Sequence, residues 1–299
     1  MDLTTTYLGL ALKNPLVAAS CSLTGSPESA RKLEAAGFAA LVARSIFEED
    51  LSRIGDAHLA NLRAIREAVA IPVIASVNCR THASWGTFAR EIEATGVAAL
   101  ELNLYDIPED ASESSAQIEA RQLDLVRQVV ASTRLPVAVK LSPFYTALIP
   151  FCRGLQEAGV QGIVIFNRFM QPDINTETGN LRYNANFSHS NDMRLPLRWT
   201  AILRDQLTID IALTGGVHTA DDAIQAILVG ATVVCPCSVL YERRDANPAG
   251  EMLEGLKEWL ARKGHRQVSE FRGSMRTTGF GNRSGFERAH YVQTLRSVK

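Results

Sequence analysis

Three polar side chains stand at the ends of short apolar runs in this sequence. Lys140 ends the run Val137-Ala-Val-Lys140, Asn103 ends Leu100-Glu-Leu-Asn103, and Asn167 follows a run that begins at Gly162. An ammonium group is costly in an apolar interior, so Lys140 is expected to meet an anion, a cofactor or a substrate. Polar groups that converge from successive strand ends are typical of an active site.

The elements that must position these side chains form a repeating pattern. Short, almost continuously apolar runs alternate with amphipathic segments, which favours a parallel sheet covered on both faces. Glycines such as Gly37, Gly96 and Gly159 follow the amphipathic segments, where a left-handed residue closes a helix. The pattern predicts an α/β fold, the (β/α)8 TIM barrel, with strands near 16–19, 40–42, 73–77, 100–103, 137–140, 162–166, 211–214 and 232–235. The predicted helices are 27–36, 58–69, 84–95, 117–132, 146–158, 197–206, 220–228 and 250–263. A doubly wound open sheet is the alternative, but no G-x-G-x-x-G follows the first strand.

Length and charge predict one barrel with a basic extension. The 299 residues are 46% hydrophobic, which permits one large core. We place the barrel at 1–262 and the extension at 263–299. The extension carries eight Lys or Arg against two Glu, although the whole chain has a net charge of −1. Two readings stay open: it lies on the acidic body, or it docks a second subunit or an electron-transfer partner.

Composition argues against several classes of protein. A net charge of −1 gives no reason to expect nucleic acid or an anionic membrane as a partner. No basic region followed by an apolar run opens the sequence, and no apolar stretch reaches the ~18 residues of a membrane span, so we expect a cytoplasmic protein. Five cysteines without a C-x-x-C pair favour thiols in a reducing compartment over a metal or iron–sulfur site.

The seventh and eighth strands end in residues suited to an anion. Gly215 and Gly216 follow the seventh strand, a helix opens near Thr219, and Cys237-Ser238 follows the eighth strand. Exposed backbone N–H groups and a helix dipole favour phosphate, which barrels commonly bind between these two loops. A plain turn at the glycines and a helix cap at Ser238 are the structural alternatives.

Lys140 itself has two chemical readings. The small residues Ala19 and Ser20 end the first strand and let a planar ring lie across the barrel mouth, where Lys140 would stabilise negative charge. Alternatively, Lys140 forms a Schiff base, as in class I aldolases.

These motifs together resemble a known family. The chain resembles dihydroorotate dehydrogenases, chiefly the soluble class 1 members, over about residues 1–245. The residues that carry this resemblance are Asn14-Pro15, Ala19-Ser20, Leu102-Asn103, Val139-Lys-Leu-Ser-Pro143, Asn167, Thr214-Gly-Gly216 and Gly230-Ala231. Five further segments are similar to signatures of bacterial dihydroorotate dehydrogenase-like proteins: Phe166-Asn-Arg-Phe169, Gln171-Pro-Asp-Ile174, Leu195-Pro-Leu-Arg-Trp199, Thr214-Gly-Gly-Val-His218 and Arg272-Gly-Ser-Met275.

The resemblance implies an FMN-binding barrel that oxidises dihydroorotate to orotate, a CH–CH oxidation of pyrimidine biosynthesis. It implies flavin contacts from ten residues: Ala19, Ser20, Arg44, Asn103, Lys140, Asn167, Gly215, Gly216, Cys237 and Ser238. Asn78, Asn167 and Arg168 are the predicted contacts for a small anionic substrate. A homodimer and a redox partner protein are the expected associations.

Two departures from the family pattern concern the substrate. Asp106 stands where class 1 members carry a catalytic cysteine, so we predict Asp106 as the proton acceptor beside Lys140 and Asn103. The asparagine-rich loop after the second strand is replaced by Ser45-Ile-Phe-Glu-Glu-Asp50, and Arg44 replaces the usual lysine. A diverged substrate, an aldolase-type lyase and a flavin-binding partner protein without dihydroorotate activity therefore remain alternatives.

Overall fold

The computed structural model describes residues 1–78, 85–105, 107–169, 172–182, 186–243, 247–277, 291–293 and 295–297. The strands are β1 (Thr5–Tyr7), β2 (Leu10–Leu12), β3 (Val17–Ala18), β4 (Ala40–Val42), β5 (Ile46–Phe47), β6 (Val73–Asn78), β7 (Ala99–Leu104), β8 (Val137–Leu141), β9 (Gly162–Ile165), β10 (Asp173–Ile174), β11 (Leu181–Arg182), β12 (Asp210–Thr214) and β13 (Val233–Cys235). The α-helices are α1 (Pro27–Ala36), α2 (Leu51–Ala68), α3 (Trp85–Glu93), α4 (Ser115–Ser132), α5 (Leu148–Glu157), α6 (Arg194–Arg204), α7 (Ala220–Leu228), α8 (Ser238–Glu242) and α9 (Pro248–Lys263).

Eight parallel strands form a barrel. They pair in the order β3, β4, β6, β7, β8, β9, β12 and β13. The last strand returns to the first, because Leu16 forms a parallel bridge with Val234 and the Val234 N–H donates to the Pro15 carbonyl at 2.8 Å. The predicted (β/α)8 barrel is confirmed.

Strand alternation separates the barrel interior from its outer shell. On β7, Leu100 and Leu102 point outward and join the core under the helices, whereas Ala99 packs inside the barrel. Because successive side chains of a strand point to opposite faces, Glu101 and Asn103 share the inward face with Ala99. The polar groups of the strand ends therefore gather in the mouth of the barrel.

An N-terminal hairpin closes the opposite end of the barrel. Strands β1 and β2 pair antiparallel, and Tyr7, Leu8 and Leu12 pack against the inward-facing apolar residues. The hairpin is held by Asp210, whose carboxylate accepts the Leu8 N–H at 2.8 Å and the Thr232 hydroxyl at 3.0 Å. The sequence pattern gave no indication of this hairpin, because its strands have only three residues each. The interior is thus closed below and polar above.

Most helices lie where the sequence predicts them, and their ends have local causes. The Ser26 hydroxyl caps α1 by accepting the Ser29 N–H at 3.2 Å, and Gly37 ends it at φ 110°. The prediction was wrong at α2, which begins at Leu51 rather than at residue 58. A 3-10 turn over Glu48–Asp50 runs directly into α2. No residue from 51 to 58 is fully buried, so the regular apolar face of α2 begins only at Leu59.

The beginning of the basic extension packs on the barrel. The Asp2 N–H donates to the Arg266 carbonyl at 2.8 Å, and the Gly273 N–H donates to the Ile227 carbonyl at 2.9 Å. Phe271 is buried, and Arg272 donates to the Thr5 hydroxyl at 2.6 Å. The division at residue 262 stays a prediction. Among the helices that the structure describes, none combines the length and the apolar character of a membrane span.

Candidate active site

Three polar side chains lie side by side across the mouth of the barrel. Asn78 on β6 pairs in register with Asn103 on β7, and Asn103 pairs with Lys140 on β8. Neighbouring strands are about 4.8 Å apart, so this register sets two amides and an ammonium group in one row. The predicted convergence of Asn103 and Lys140 is explained by strand register alone.

Hydrogen bonds fix the orientation of the amides in this row. Nδ2 of Asn167 donates to Oδ1 of Asn103 at 2.9 Å, and Nδ2 of Asn78 donates to the Asn103 carbonyl at 3.2 Å. The backbone N–H of Asn167 donates to the Leu141 carbonyl at 2.7 Å, which holds Asn167 beside β8. Asn103 keeps its own amide N–H groups available for a ligand, because only its oxygens are used in these bonds.

Lys140 is a buried cation without a protein partner. The exposed fraction of Lys140 is 8%. Within the part of the chain that the structure describes, its ammonium group makes neither a hydrogen bond nor an ion pair with an N···O distance of 4.0 Å or less. Buried cations are normally paired, so this group is suited to an anionic ligand.

A buried carboxyl group lies one layer below Lys140. Glu101 is 4% exposed, and burial raises the pKa of its carboxyl above the ordinary value of 4.5; the Lys140 ammonium and the Ser76 hydroxyl partly offset this rise. The sequence analysis missed Glu101. The signal was present, because Glu101 is two residues before Asn103 and therefore lies on the same face of the strand.

A chain of serine hydroxyls connects the first strand to Glu101. The Ser20 and Ser45 hydroxyls lie 3.1 Å apart, the Ser45 and Ser76 hydroxyls lie 2.6 Å apart, and Ser76 donates to Oε1 of Glu101 at 3.4 Å. Ser20 also donates to the Ala43 carbonyl at 2.9 Å. The predicted site residue Ser20 thus begins a polar path across four strand ends. Two other members of this path, Ser45 and Ser76, were not predicted.

The anion-binding end that the glycines predict contains an additional residue, Ser188. The Gly216 N–H donates to the Ser188 hydroxyl at 3.1 Å, and this hydroxyl donates to the Ser238 hydroxyl at 2.9 Å. The Ser188 N–H also donates to the Ser238 hydroxyl at 2.9 Å. Gly216 and Ser238 are therefore linked through Ser188, which lies in the loop before α6. No spacing in the sequence indicates this contact. The role of Gly215, Gly216 and Ser238 in binding an anion stays a prediction.

An open cavity of about 330 Å³ lies beside this row. Asn167, Arg168, Thr214 and Gly215 line it together with Ser188. Arg168 donates to the Phe187 carbonyl at 3.1 Å and lies 3.7 Å from the Asp192 carboxylate, which keeps the guanidinium at the cavity wall. Arg168 is therefore placed where an anionic substrate group could meet it.

Aromatic side chains form the other wall of the mouth. The ring centroids of Phe144 and Phe169 lie 4.7 Å apart in an edge-to-face arrangement, and those of Tyr105 and Phe169 lie 6.2 Å apart. These three residues also line a second cavity of about 310 Å³. Tyr105 and Phe169 come from two different loops, after β7 and after β9, so both loops reach the same face of the barrel.

The remaining predicted residues differ in their positions. Ala19 is buried at the end of the first barrel strand, and Cys237 precedes α8. Arg44 is exposed, and its side-chain carbons lie next to Gly25, 3.4 Å from where a Cβ on that glycine would be. The next residue, Ser45, turns into the mouth. The structure does not bring Arg44 into the cluster. Asp106 lies outside the described residues.

The residues present fit a planar, anionic cofactor. Lys140 offers a buried charge that has no partner among the described residues, and the first strand ends in the small residues Ala19 and Ser20. A Cβ on Gly215 would have only the Phe166 carbonyl at 3.9 Å, so the backbone is open on that side. A phosphate at Gly216 and Ser238 would share or replace their bonds to Ser188.

A parallel (β/α)8 barrel with a cationic, amide-lined mouth defines a class of enzyme scaffold, and comparison with known proteins gives the family. The family model for dihydroorotate dehydrogenase matches residues 53–260. The chain belongs to the dihydroorotate dehydrogenase family.

The names of its relatives contain two electron acceptors, NAD(+) and fumarate. It is 28% identical over 298 residues to the catalytic subunit of dihydroorotate dehydrogenase B (NAD(+)) of Desulforudis audaxviator, covering 91% of this chain and 96% of that protein. It is 26% identical over 299 residues to a putative dihydroorotate dehydrogenase A (fumarate) of Aeropyrum pernix, covering 91% and 97%. Dihydroorotate dehydrogenase A (fumarate) of Lactobacillus helveticus is 26% identical over 211 residues, covering 69% and 68%.

Replacing Gly216 tests how tightly the loop before α6 closes on the glycine pair. Gly215 and Gly216 have φ values of 87° and 86°, so alanine is strained similarly at both. Only at Gly216 would the new Cβ meet backbone, at 2.5 Å from the Met193 nitrogen and 2.8 Å from the His189 carbonyl. We expect Gly216→Ala to lower the free energy of unfolding by about 1–3 kcal/mol more than Gly215→Ala, measured in urea. Equal losses would show that this loop moves away freely.

Replacing Glu101 tests its buried carboxyl through pH. Because the pKa is raised in the folded state, the wild type loses stability as pH rises from 4.5 through the raised pKa. Glu101→Gln removes this loss. The free energy of unfolding of the variant should therefore rise relative to that of the wild type as pH rises, and the difference between the two should level off above the raised pKa. Unfolding by denaturant across the pH range measures the difference. The exposed Glu254→Gln on α9 controls for the removal of one negative charge. A difference that does not change with pH would contradict the assignment.

Proposed function

We propose that this protein is an FMN-dependent oxidoreductase that acts on a CH–CH bond, with the conversion of dihydroorotate to orotate as the first reaction to test. The observation that carries the proposal is the buried Lys140 ammonium, which has no partner in the described part of the chain. It lies in register with Asn103 and Asn78 at the mouth of a barrel of this family. FMN bound there would take up the hydride that the substrate loses.

In this proposal Lys140 supplies fixed positive charge. The ammonium would stabilise negative charge that develops in the mouth during the reaction, and the low-dielectric surroundings make that interaction strong. Glu101 lies in the layer below, where the Lys140 ammonium partly offsets the rise in its pKa that burial causes. Ala19, Ser20, Gly215, Gly216, Cys237 and Ser238 would contribute the remaining contacts to the cofactor.

The three asparagines would orient ring and substrate. Among the described residues, none accepts from the amide N–H groups of Asn103, and its oxygen is held by Asn167, so Asn103 can donate in a fixed direction. Asn78 and Arg168 would bind the polar and anionic groups of the substrate. Asp106 would accept the proton from carbon, with Tyr105 as the alternative acceptor.

The substrate is the part of the proposal most open to divergence. Where the family has an asparagine-rich loop, this chain places Ser45 in the mouth, bonded to Ser20 and Ser76. A serine hydroxyl cannot replace both hydrogen-bonding groups of an asparagine amide. The aromatic wall of Phe144 and Phe169 favours a planar, conjugated substrate. Dihydroorotate or a related small anion is therefore the proposed class.

An electron acceptor completes the reaction. The relatives are named for NAD(+) or fumarate, and one of them is named as a catalytic subunit. The charge of the basic extension, +6, supports a redox partner protein or a second copy of the chain as its docking partner. The protein is proposed to work in the cytoplasm.

Lys140 also permits a second function. A buried amine without an ion-pair partner is suited to forming a Schiff base, which would make the protein an aldolase-type lyase acting on a phosphorylated substrate. Colour distinguishes the two: a flavoprotein is yellow as purified. Borohydride trapping of a substrate on Lys140 would favour the lyase.

Anaerobic mixing with dihydroorotate tests the proposed oxidoreductase. We expect the flavin absorbance to bleach in the wild type, and we expect Lys140→Ala to slow bleaching by about 10²–10³-fold with the fold intact. Lys257→Ala, which removes an exposed lysine on α9, is the matched control and should leave the rate unchanged.

Three results would each overturn a part of the proposal. A colourless protein that does not take up added FMN excludes the flavoenzyme. Bleaching at the normal rate in Lys140→Ala removes Lys140 from the mechanism. A yellow protein that no dihydropyrimidine bleaches excludes dihydroorotate as the substrate and leaves the cofactor assignment standing.

A further inference from the structure

Two cysteines lie on adjacent loops where the barrel closes. Cys21 follows the first barrel strand, and Cys237 follows the last. These loops are bonded together on both sides of the cysteines: the Ala19 N–H donates to the Pro236 carbonyl at 3.3 Å, and the Ser22 N–H donates to the Tyr241 hydroxyl oxygen at 2.9 Å. The pairing of Leu16 with Val234 brings the same strands together below them.

The sulfur of Cys21 faces a group of hydrogen-bond donors. They are the Cys237 thiol, the Tyr241 hydroxyl and the backbone N–H groups of Leu23 and Thr24. The loop is fixed by Thr24, whose hydroxyl accepts the Cys21 N–H at 3.0 Å and donates to the Cys21 carbonyl at 2.9 Å. A sulfur held among donors in this way is stabilised as a thiolate.

The two thiols therefore differ in proton affinity. The hydrogen bond from Cys237 is the largest cause that lowers the pKa of Cys21, to about 6, and the Tyr241 hydroxyl and the two N–H groups lower it further. The same bond raises the pKa of Cys237, which keeps its proton. One thiolate next to one thiol is the arrangement that thiol–disulfide chemistry uses.

Accessibility separates this pair from the other thiols that the structure describes. Cys21 and Cys237 are partly exposed, whereas Cys152 and Cys235 are buried. Burial raises the pKa of the Cys152 thiol to about 12, so it remains protonated and unreactive. Among the thiols that the structure describes, Cys21 thus combines partial exposure with a lowered pKa.

We propose that Cys21 and Cys237 form a redox-active thiol pair, which a hydroperoxide converts into a disulfide across the closing seam of the barrel. The Cys21 thiolate attacks a peroxide oxygen; an S–O bond forms, the O–O bond breaks, and hydroxide or alkoxide leaves. The Cys237 thiol then attacks the Cys21 sulfur, an S–S bond forms, and water leaves. The two thiols lose two electrons and the peroxide gains them. A dithiol reverses the reaction by exchange.

The disulfide would join two loops that matter to the site. Cys21 follows Ser20, whose hydroxyl starts the serine chain, and Cys237 precedes Ser238, which bonds Ser188. Oxidation would therefore tie the first and last strand ends together. Cys237 is also one of the proposed cofactor contacts, so oxidation of the pair would alter that end of the site.

Peptide mass spectrometry after hydrogen peroxide treatment tests the pair. We expect a cross-linked peptide that contains Cys21 and Cys237, and its loss on treatment with dithiothreitol. Cys237→Ser should give no such peptide, and dimedone should instead label Cys21 as a sulfenic acid. Cys152→Ala is the control and should form the disulfide like the wild type. A wild type that keeps both thiols, or that joins Cys21 to another cysteine, would overturn the proposal.

The rate of alkylation tests the thiolate without relying on a variant that must fold. In the wild type, labelling of Cys21 by iodoacetamide should reach half its maximal rate near pH 6, compared with about 8.5 for an ordinary thiol. Tyr241→Phe removes one donor and should move this midpoint upward. An ordinary midpoint in the wild type would remove the activated thiolate and the proposal with it.

Discussion

The cost of burying the Lys140 charge is the constraint around which the mouth of this barrel is arranged. An ammonium group without a partner is strongly unfavourable in an apolar interior, and a nearby buried carboxyl recovers only part of that cost. The protein therefore places Glu101 below Lys140 and amides beside it. The stability lost at this position has to come from the rest of the barrel. Such a local loss is usual where a site is preorganised for a ligand.

The rest of the barrel is built to supply that stability. Its outer layer is one continuous apolar core between strands and helices, with large fully buried side chains such as Phe38, Phe151 and Trp85. Its lower interior is filled by small and branched residues, and the hairpin at Tyr7 and Leu8 closes it against water. Because only the upper layer is polar, water and ligands can enter from one end. The row that contains Lys140 and Asn103 thus lies directly above the last layer of apolar side chains in the barrel interior.

The sequence predicted the parts that depend on local periodicity and missed those that depend on contacts between distant segments. Strand and helix positions followed from apolar runs and glycine stops, and the convergence of Asn103 and Lys140 followed from strand ends. Glu101 and Ser76 could also have been found, because strand alternation places them on the inward face. Ser188 could not, since its bond to Gly216 joins residues 28 apart through an irregular loop. The closeness of Cys21 and Cys237 depends likewise on closure of the barrel, and a single sequence carries no signal for it.

The differences from the family pattern become coherent once the inward row is known. A loop that loses its asparagines could have left an apolar gap or unpaired polar groups at the end of the second barrel strand. Here Ser45 turns inward and joins the Ser20 and Ser76 hydroxyls, so the polar atoms that remain are bonded to each other. Arg44 turns outward at the same point. A mouth that satisfies its own hydrogen bonds on that side, and that offers Lys140 no partner among the described residues on the other, would direct the proposed anionic ligand toward β8. This asymmetry, rather than the loss of individual asparagines, is what a diverged substrate would have to match.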